Sequence, residues 1–388
     1  IASCLCGGIK IKVKGKLRDV SNCHCSQCMK THGNYAAYTA CSENNITSPI
    51  EILDDKIILT DIPKFTIESF DEKLFKQICS GLYNYSSQDE VRLYFQLLEL
   101  SNANFKSISK NIDQILNHEN YGTVEYYQFF RQEKEKVRTL YTLETQIRII
   151  SVYFTYILNK LYYPELSDFS FGYIFQGNFY KDNLFENWFV NWAKFSKNIE
   201  NILFSSEYSG YYLVKLDISK FYDRIDLDRL EIKLFEELPH STKTIINSLN
   251  TDEKNKYKRI VDYLIFLSKK IATDSKTGLP QGPAYARYLA EIYLNSLDKI
   301  IEQNFIKNKK REFYYRFVDD IFVFVESKER ALVLNSDITQ WLSLNNLEIN
   351  NSKTTIQKVS DYVESGEYSR YQDDAKYDLS KADFLPLI

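Results

Sequence analysis

The stretch "YRFVDDIFVF", residues 315–324, constrains this chain more than any other. It sets two adjacent carboxylates, Asp319 and Asp320, between two runs of aromatic and β-branched residues. Such runs favour strands, whose side chains become half-buried or buried. Like charges placed there repel each other and are costly to desolvate. Two structures accommodate them: a turn in which the aspartates hydrogen-bond the local backbone, or a site where a cation binds both. A lone Asp-Asp is more often the turn, so the decision falls to the rest of the chain.

A second run, "YYLVKLDISKFYDRID", carries mostly apolar residues up to Asp217, at the end of an expected buried strand. If that strand lies beside the Asp-Asp hairpin, three carboxylates converge at one end of a sheet. Mg²⁺ takes oxygen ligands and keeps room for water or phosphate oxygens. Two such ions about 4 Å apart can activate a hydroxyl and stabilise a leaving pyrophosphate. A third segment, "TGLPQGPAYARYLAEIYLNSLDKII", places Gly278 and Gly282 where backbone can approach a ligand closely. Gln281 can hydrogen-bond a sugar or base there. Pro283 suits a first helical turn. The helix it starts is expected to be amphipathic, with Leu289, Ile292, Tyr293, Leu297 and Ile300 on one side.

Around these segments the chain changes character near residues 45–65. Before that region, "GIKIKVKGKL" alternates like an edge hairpin, and "SENNITSPIEILDDK" reads as a junction. From about 66 to 166 the pattern is helical, as in "EVRLYFQLLEL" and "QIRIISVYFTYILNKLYY". Strand patterns return at 211–218 and 311–326. This order suits an α+β domain with an antiparallel sheet. A net charge of −3 argues against a chain that coats nucleic acid over its whole surface, yet leaves room for a local basic groove. No apolar run reaches the roughly 18 residues of a membrane span. No signal peptide is recognisable, no membrane partner is expected, and the expected location is cytoplasmic. Of seven cysteines, Cys4, Cys6, Cys23, Cys25 and Cys28 crowd the opening residues. That clustering reads as metal ligation in a reducing compartment rather than a disulfide framework.

In their order and spacing, the aspartate strand, the "LPQG" loop-helix, the "RFVDD" hairpin and "LEINNSKT" (347–354) resemble the successive palm motifs of reverse transcriptases. Phe317 stands where the commonest hairpin motif has Tyr. The resemblance spans at least 211–354. It implies a right-hand polymerase palm with largely helical fingers, preceded here by a small Cys-rich β segment. It further implies Asp217, Asp319 and Asp320 as ligands of two Mg²⁺, assisted by the Ile218 carbonyl. Gln281 and Gly282 would line the nucleotide and template pocket, and Lys353 would approach the pyrophosphate as a general acid. A solvated turn lysine is the other reading of Lys353. Tyr222 occupies the position of an aromatic gate that clashes with a 2′-hydroxyl, implying dNTP substrates. Related RNA polymerases carry an aspartate near that point and "GDD" in the hairpin; this chain has Asp223 one position later and "VDD". The implied activity is RNA-directed DNA synthesis, with an RNA template and a DNA product.

Upstream, "SDFSFGYIFQGNF" resembles a finger segment reading Tyr-Gly-Phe-Arg in many bacterial enzymes. Phe171, Gly172 and Tyr173 fit, whereas Ile174 replaces the arginine; Arg138 and Arg148 are candidate substitutes or else surface cations. "LFENWFVNWAKFSKNI" resembles defence-associated reverse transcriptases of the abortive-infection and unknown-group class, implying an anti-phage role. Template cations are sought in "KNKKR" (307–311) and at Lys269 and Lys270. The opening "SCLCGGIKIKVKG" with "NCHCSQCMKTHGNYAAYTA" resembles glutathione-dependent formaldehyde-activating enzymes. That family would bind Zn²⁺ through Cys23, Cys25 and Cys28, and a second Zn²⁺ through Cys4, Cys6 and a later Cys pair that this chain lacks. The expected division is a partial zinc segment over 1–50, a helical region and fingers over 51–205, the palm over 206–360, and the start of a C-terminal or thumb region over 361–388. The competing reading is a zinc-binding, carbon-sulfur lyase-like module joined to a non-catalytic or RNA-synthesising palm.

Overall fold

A computed structural model describes residues 65–373, apart from 89–93, 119, 134–135, 180–181, 272–275 and 309–310, together with six short strands before residue 65. The chain divides into two compact units, Ile1–Thr66 and Ile67–Ile388. In the first, β1 (Ala2–Ser3) pairs with β2 (Lys10–Ile11), β3 (Ser21–Cys23) with β4 (Ala36–Tyr38), and β5 (Ile50–Leu53) with β6 (Lys56–Leu59), each pair antiparallel. The thiols of Cys4, Cys6, Cys23, Cys25 and Cys28 lie outside the described residues.

The second unit opens with α1 (Glu72–Gln88), α2 (Tyr94–Ser101) and α3 (Phe105–His118). A hairpin follows, β7 (Tyr126–Glu133) with β8 (Lys136–Leu143), then α4 (Thr145–Tyr162). The hairpin interrupts the expected helical stretch over 66–166. Its outward positions are rich in apolar groups, with Phe130 and Val137 exposed. Glu144 caps α4 by accepting from the backbone N–H groups of Gln146 and Ile147.

Next come α5 (Trp188–Leu203), β9 (Tyr212–Asp217), α6 (Phe221–Arg224), α7 (Leu227–Phe235), α8 (His240–Ser248), α9 (Thr251–Ile271) and α10 (Ala284–Asn308). The described chain finishes with β10 (Phe313–Phe317), β11 (Asp320–Val325), α11 (Lys328–Leu344), β12 (Thr355–Lys358), α12 (Val359–Glu364) and a helical segment over 367–373. Strands β10, β11, β9 and β12 form, in that order, one antiparallel sheet. This is the expected α+β palm fold.

The sheet is covered on both faces, which is why β11 reads as an unbroken apolar run rather than an alternation. Leu213, Phe322 and Phe324 join a cluster with Trp192, Phe195 and Ile199 of α5. The alternate residues Val214, Leu216, Ile321 and Val323 are just as buried, and α11 packs on the same strands. Burying each large side chain contributes roughly 1.5–3 kcal/mol, so the sheet is a rigid platform for whatever its ends carry. The helix after the "LPQG" loop departs from expectation. From Ala284 to Asp298, α10 is buried on nearly every side, whereas Ile300, expected on the inner face, is 44% exposed.

Candidate active site

The sheet register brings the first and last acids together. Asp217, the final residue of β9, lies directly across from Asp320, the first residue of β11. Asp319 occupies the turn between β10 and β11, and its carbonyl accepts from the backbone N–H of Ile218 at 3.3 Å. Burial and the neighbouring Asp217 charge push the Asp319 carboxyl up to about 6. Burial, then Asp319 and Asp217, push Asp320 up to about 7. These shifts mark mutual repulsion in a desolvated place.

Cations and a hydroxyl partly relieve it. The Lys353 ammonium donates to Asp217 Oδ2 at 2.9 Å, so this residue is no free turn lysine. Although burial opposes it, that carboxylate holds the Lys353 ammonium above its usual value. The Tyr371 hydroxyl donates to Asp320 Oδ2 at 3.1 Å. Lys215, two residues before Asp217, lies over the Tyr371 ring at 4.3 Å. Burial lowers the pKa of Lys215 while the Asp320 charge opposes that shift. Among the described residues, no three His, Cys, Asp or Glu side chains are gathered into a ready-made cation cage.

These groups lie at a cleft of about 680 Å³. Its lining includes Asp217, Asp319 and Asp320, with Lys353, Arg138 and Arg287. Tyr222 and the "LPQG" loop complete it: Gly278 N–H donates to the Ile225 carbonyl and Leu279 N–H to that of Tyr222, both at 2.9 Å. The Tyr222 hydroxyl is buried without a hydrogen-bond partner. The Gln281 carbonyl accepts from Tyr141 N–H of β8 at 2.8 Å. Gly282 has φ +122°, and a β-carbon there would lie 2.2 Å from the Tyr141 carbonyl oxygen. The Tyr85 hydroxyl donates to the Gly282 carbonyl at 2.7 Å. The β7–β8 hairpin is thus fastened to the loop.

Sequence reasoning missed three residues here: Lys215, Arg287 and Tyr371. Arg287 lies 4.5 Å from the Tyr173 ring centroid and 5.2 Å from that of Tyr85. The signal for Lys215 and Arg287 was a single cation within an otherwise buried run. Tyr371 gave none, because it reaches the site from beyond the last motif. Arg148, expected as a phosphate contact or a surface cation, is neither. It is buried and donates to Gln96 Oε1 at 3.0 Å and to the Ser86 hydroxyl. Ile174 is half-buried, and its carbonyl accepts from Glu186 N–H at 2.8 Å. Of the expected template cations, Lys269 is paired with Asp228 at 2.9 Å and Arg311 with Glu207.

The sequence matches the reverse transcriptase (RNA-dependent DNA polymerase) family over residues 100–377. This protein belongs to that family. Residues 1–49 match the glutathione-dependent formaldehyde-activating enzyme family. No curated protein sequence matches the chain. Among solved structures, it is similar to apo telomerase from Candida tropicalis truncated from the C-terminal domain, with 13% identity, TM-score 0.39, and coverage of 65% of this chain and 55% of that one. It is similar also to telomerase from Candida albicans in complex with a TWJ fragment of telomeric RNA, with 13% identity, TM-score 0.38, and coverage of 62% and 44%. The chain spans about half the length of these telomerases. No helix among the described residues is long and apolar enough to cross a membrane.

Proposed function

We propose that this chain is an RNA-directed DNA polymerase in which Asp217, Asp319 and Asp320 hold two Mg²⁺ ions. The observation that carries the reading is the cross-strand pairing of Asp217 with Asp320 at the cleft, beside Asp319, with both hairpin carboxyls pushed upward by burial and by one another. Oxygen donors that repel each other in a desolvated place suit a hard divalent cation. Bound there, magnesium supplies charge neutralisation and activation of the attacking hydroxyl.

The chain's own groups supply the rest. Arg138, Arg287 and Lys353 line the same cleft as the acids and give it positive charge, suited to a triphosphate. Lys353, held beside Asp217 at 2.9 Å, would donate its proton to the departing pyrophosphate. Gln281 and Gly282 face the nucleotide and template, and the Ile218 carbonyl adds an oxygen beside Asp217. The Tyr222 ring excludes a 2′-hydroxyl, so dNTPs are the substrates. Tyr222→Ala is expected to admit ribonucleotides at least tenfold more readily, measured as the ratio of kcat/KM for rNTP and dNTP. An unchanged ratio removes the gate.

Primer extension with labelled dNTPs on an RNA template tests the activity. Magnesium-dependent incorporation supports the reading; incorporation of rNTPs alone, or of nothing, sinks it. The biological role proposed is defence against phage, supported by the resemblance of the segment that forms α5. Equal plaque counts on hosts carrying the parent gene and its Asp319→Asn variant would remove that role. The companion proposal for residues 1–49 is Zn²⁺ on Cys23, Cys25 and Cys28, with Cys4 and Cys6 half of a second site. Elemental analysis of the purified chain tests it.

A further inference from the structure

Directly before the Asp319 turn lies a second charge cluster that the polymerase reading does not use. Arg316 of β10 heads the largest fully buried side chains among the described residues. Its guanidinium donates to Asp298 Oδ1 at 2.8 Å, to Asp298 Oδ2 at 2.7 Å and to Glu291 Oε2 at 2.9 Å. Both acids belong to α10. The Tyr314 hydroxyl also donates to Asp298, and the Ser170 hydroxyl to Glu291 at 2.9 Å. Every polar hydrogen in such a buried cluster has to be aimed, so the guanidinium is fixed in orientation.

Its remaining arm points at the turn. Arg316 Nη1 donates to the Val318 carbonyl at 2.8 Å. Val318 has φ +55°, a left-handed conformation that β-branched residues rarely adopt. Such a backbone persists only where its surroundings over-determine it. They do so here from two directions. The Arg316 backbone is bonded to the finger segment through Phe169 O at 2.9 Å and Phe171 N at 2.8 Å. Gly172 is wedged so closely that a β-carbon would lie 2.2 Å from Glu291 Oε1 and 3.3 Å from Val318 N. Glu291 Oε1 itself is buried without a hydrogen-bond partner. One carboxylate oxygen is left unsatisfied while the other meets Arg316.

We infer that the Arg316–Glu291–Asp298 cluster is a positioning device that holds Val318 left-handed and thereby aims Asp319 and Asp320 at their cation. Arg316 touches neither nucleotide nor metal; it acts through the turn. The inference rests on the magnesium reading above. It predicts that the clamp becomes dispensable when the turn residue no longer resists its conformation. Glycine adopts positive φ without a steric penalty, so Val318→Gly should compensate for loss of the clamp. A cluster serving stability alone would show no such compensation.

The test uses the full chain and Mn²⁺ as the probe, read by loss of the free-ion EPR signal, alongside primer-extension kinetics. Replacing the whole cluster (Arg316→Met, Glu291→Gln, Asp298→Asn) leaves no uncompensated buried charge, a change that folds commonly tolerate. That variant is expected to bind Mn²⁺ at least tenfold more weakly and to lose kcat while keeping its KM for dNTP. Adding Val318→Gly is expected to recover most of both losses. Parent-like Mn²⁺ binding in the neutral-cluster variant, or no recovery on adding glycine, overturns the inference and leaves the magnesium reading standing. A parent chain that binds no Mn²⁺ sinks that reading and this inference together. If the neutral cluster does not fold, Arg316→Lys, which keeps the charge but loses the fork, decides by the same criteria.

Discussion

Two groups of acids border the β10–β11 hairpin, and the fold treats them oppositely. Glu291 and Asp298 share a guanidinium that meets both within 2.9 Å and is 1% exposed. Asp217, Asp319 and Asp320 face an open cleft, where a flexible lysine, a phenol and a neighbouring amine only blunt their repulsion. The first group is organised around a buried cation, with Glu291 Oε1 left without a hydrogen-bond partner, and the second is held by weaker contacts. A cluster built around a buried cation fixes geometry, whereas one of mutually repelling acids holds free energy that a divalent ion can release on binding.

The largest expected effect separates the two. Asp319→Asn keeps the shape of the side chain and should lower nucleotide incorporation on the order of a thousandfold or more. Its thermal stability should hold or rise, because a repelling charge is gone. A melting temperature that fell along with activity would break the comparison. Arg316→Met, made alone, should cost stability as well as activity. It strands two buried carboxylates and should destabilise the chain by about 3–5 kcal/mol, read by urea unfolding. Stability close to the parent's would mean that the guanidinium does not hold its cluster together.

A pH dependence follows for the second group. An exposed aspartate titrates near about 3.9, whereas Asp319 and Asp320 in the folded chain titrate at about 6 and about 7. Folded pKa values above the unfolded ones give stability that is present below about pH 4 and lost as pH rises through 6 and 7. In chelator-treated protein, melting temperatures at pH 5 and pH 7.5 should therefore differ more for the parent than for Asp320→Asn. Equal differences would leave no repulsion to relieve. The smallest effect is reserved for Tyr371→Phe, which removes one hydrogen bond, worth roughly 0.5–1.5 kcal/mol. A few-fold rise in the magnesium concentration for half-maximal rate is expected.

Legibility in the sequence follows the same divide between local pattern and distant meeting. The strands ending at Asp217 and flanking Asp319 were readable because runs such as "FVFV" have one plausible fate, a covered strand. The "LPQG" loop was readable from its glycines and proline. The β7–β8 hairpin was not. The sequence joining its strands, near "EKEK", lacks the Gly, Asn or Pro that usually announces a hairpin, and its rings suit helical spacing as well as alternation. Arg148 and Ile300 were misplaced because spacing along one helix says nothing about what packs beside it. Tyr371 lies 51 positions from the carboxylate it meets, and only the folded chain brings them together.

The fastening of Gly282 to β8 reaches beyond chemistry. The obstacle facing a β-carbon there is a backbone oxygen of Tyr141, which cannot swing aside as a side chain would. Every other amino acid is barred from that position by shape alone. Whatever activity a descendant of this gene carried, it would still have to keep that glycine, or rebuild the wall around it.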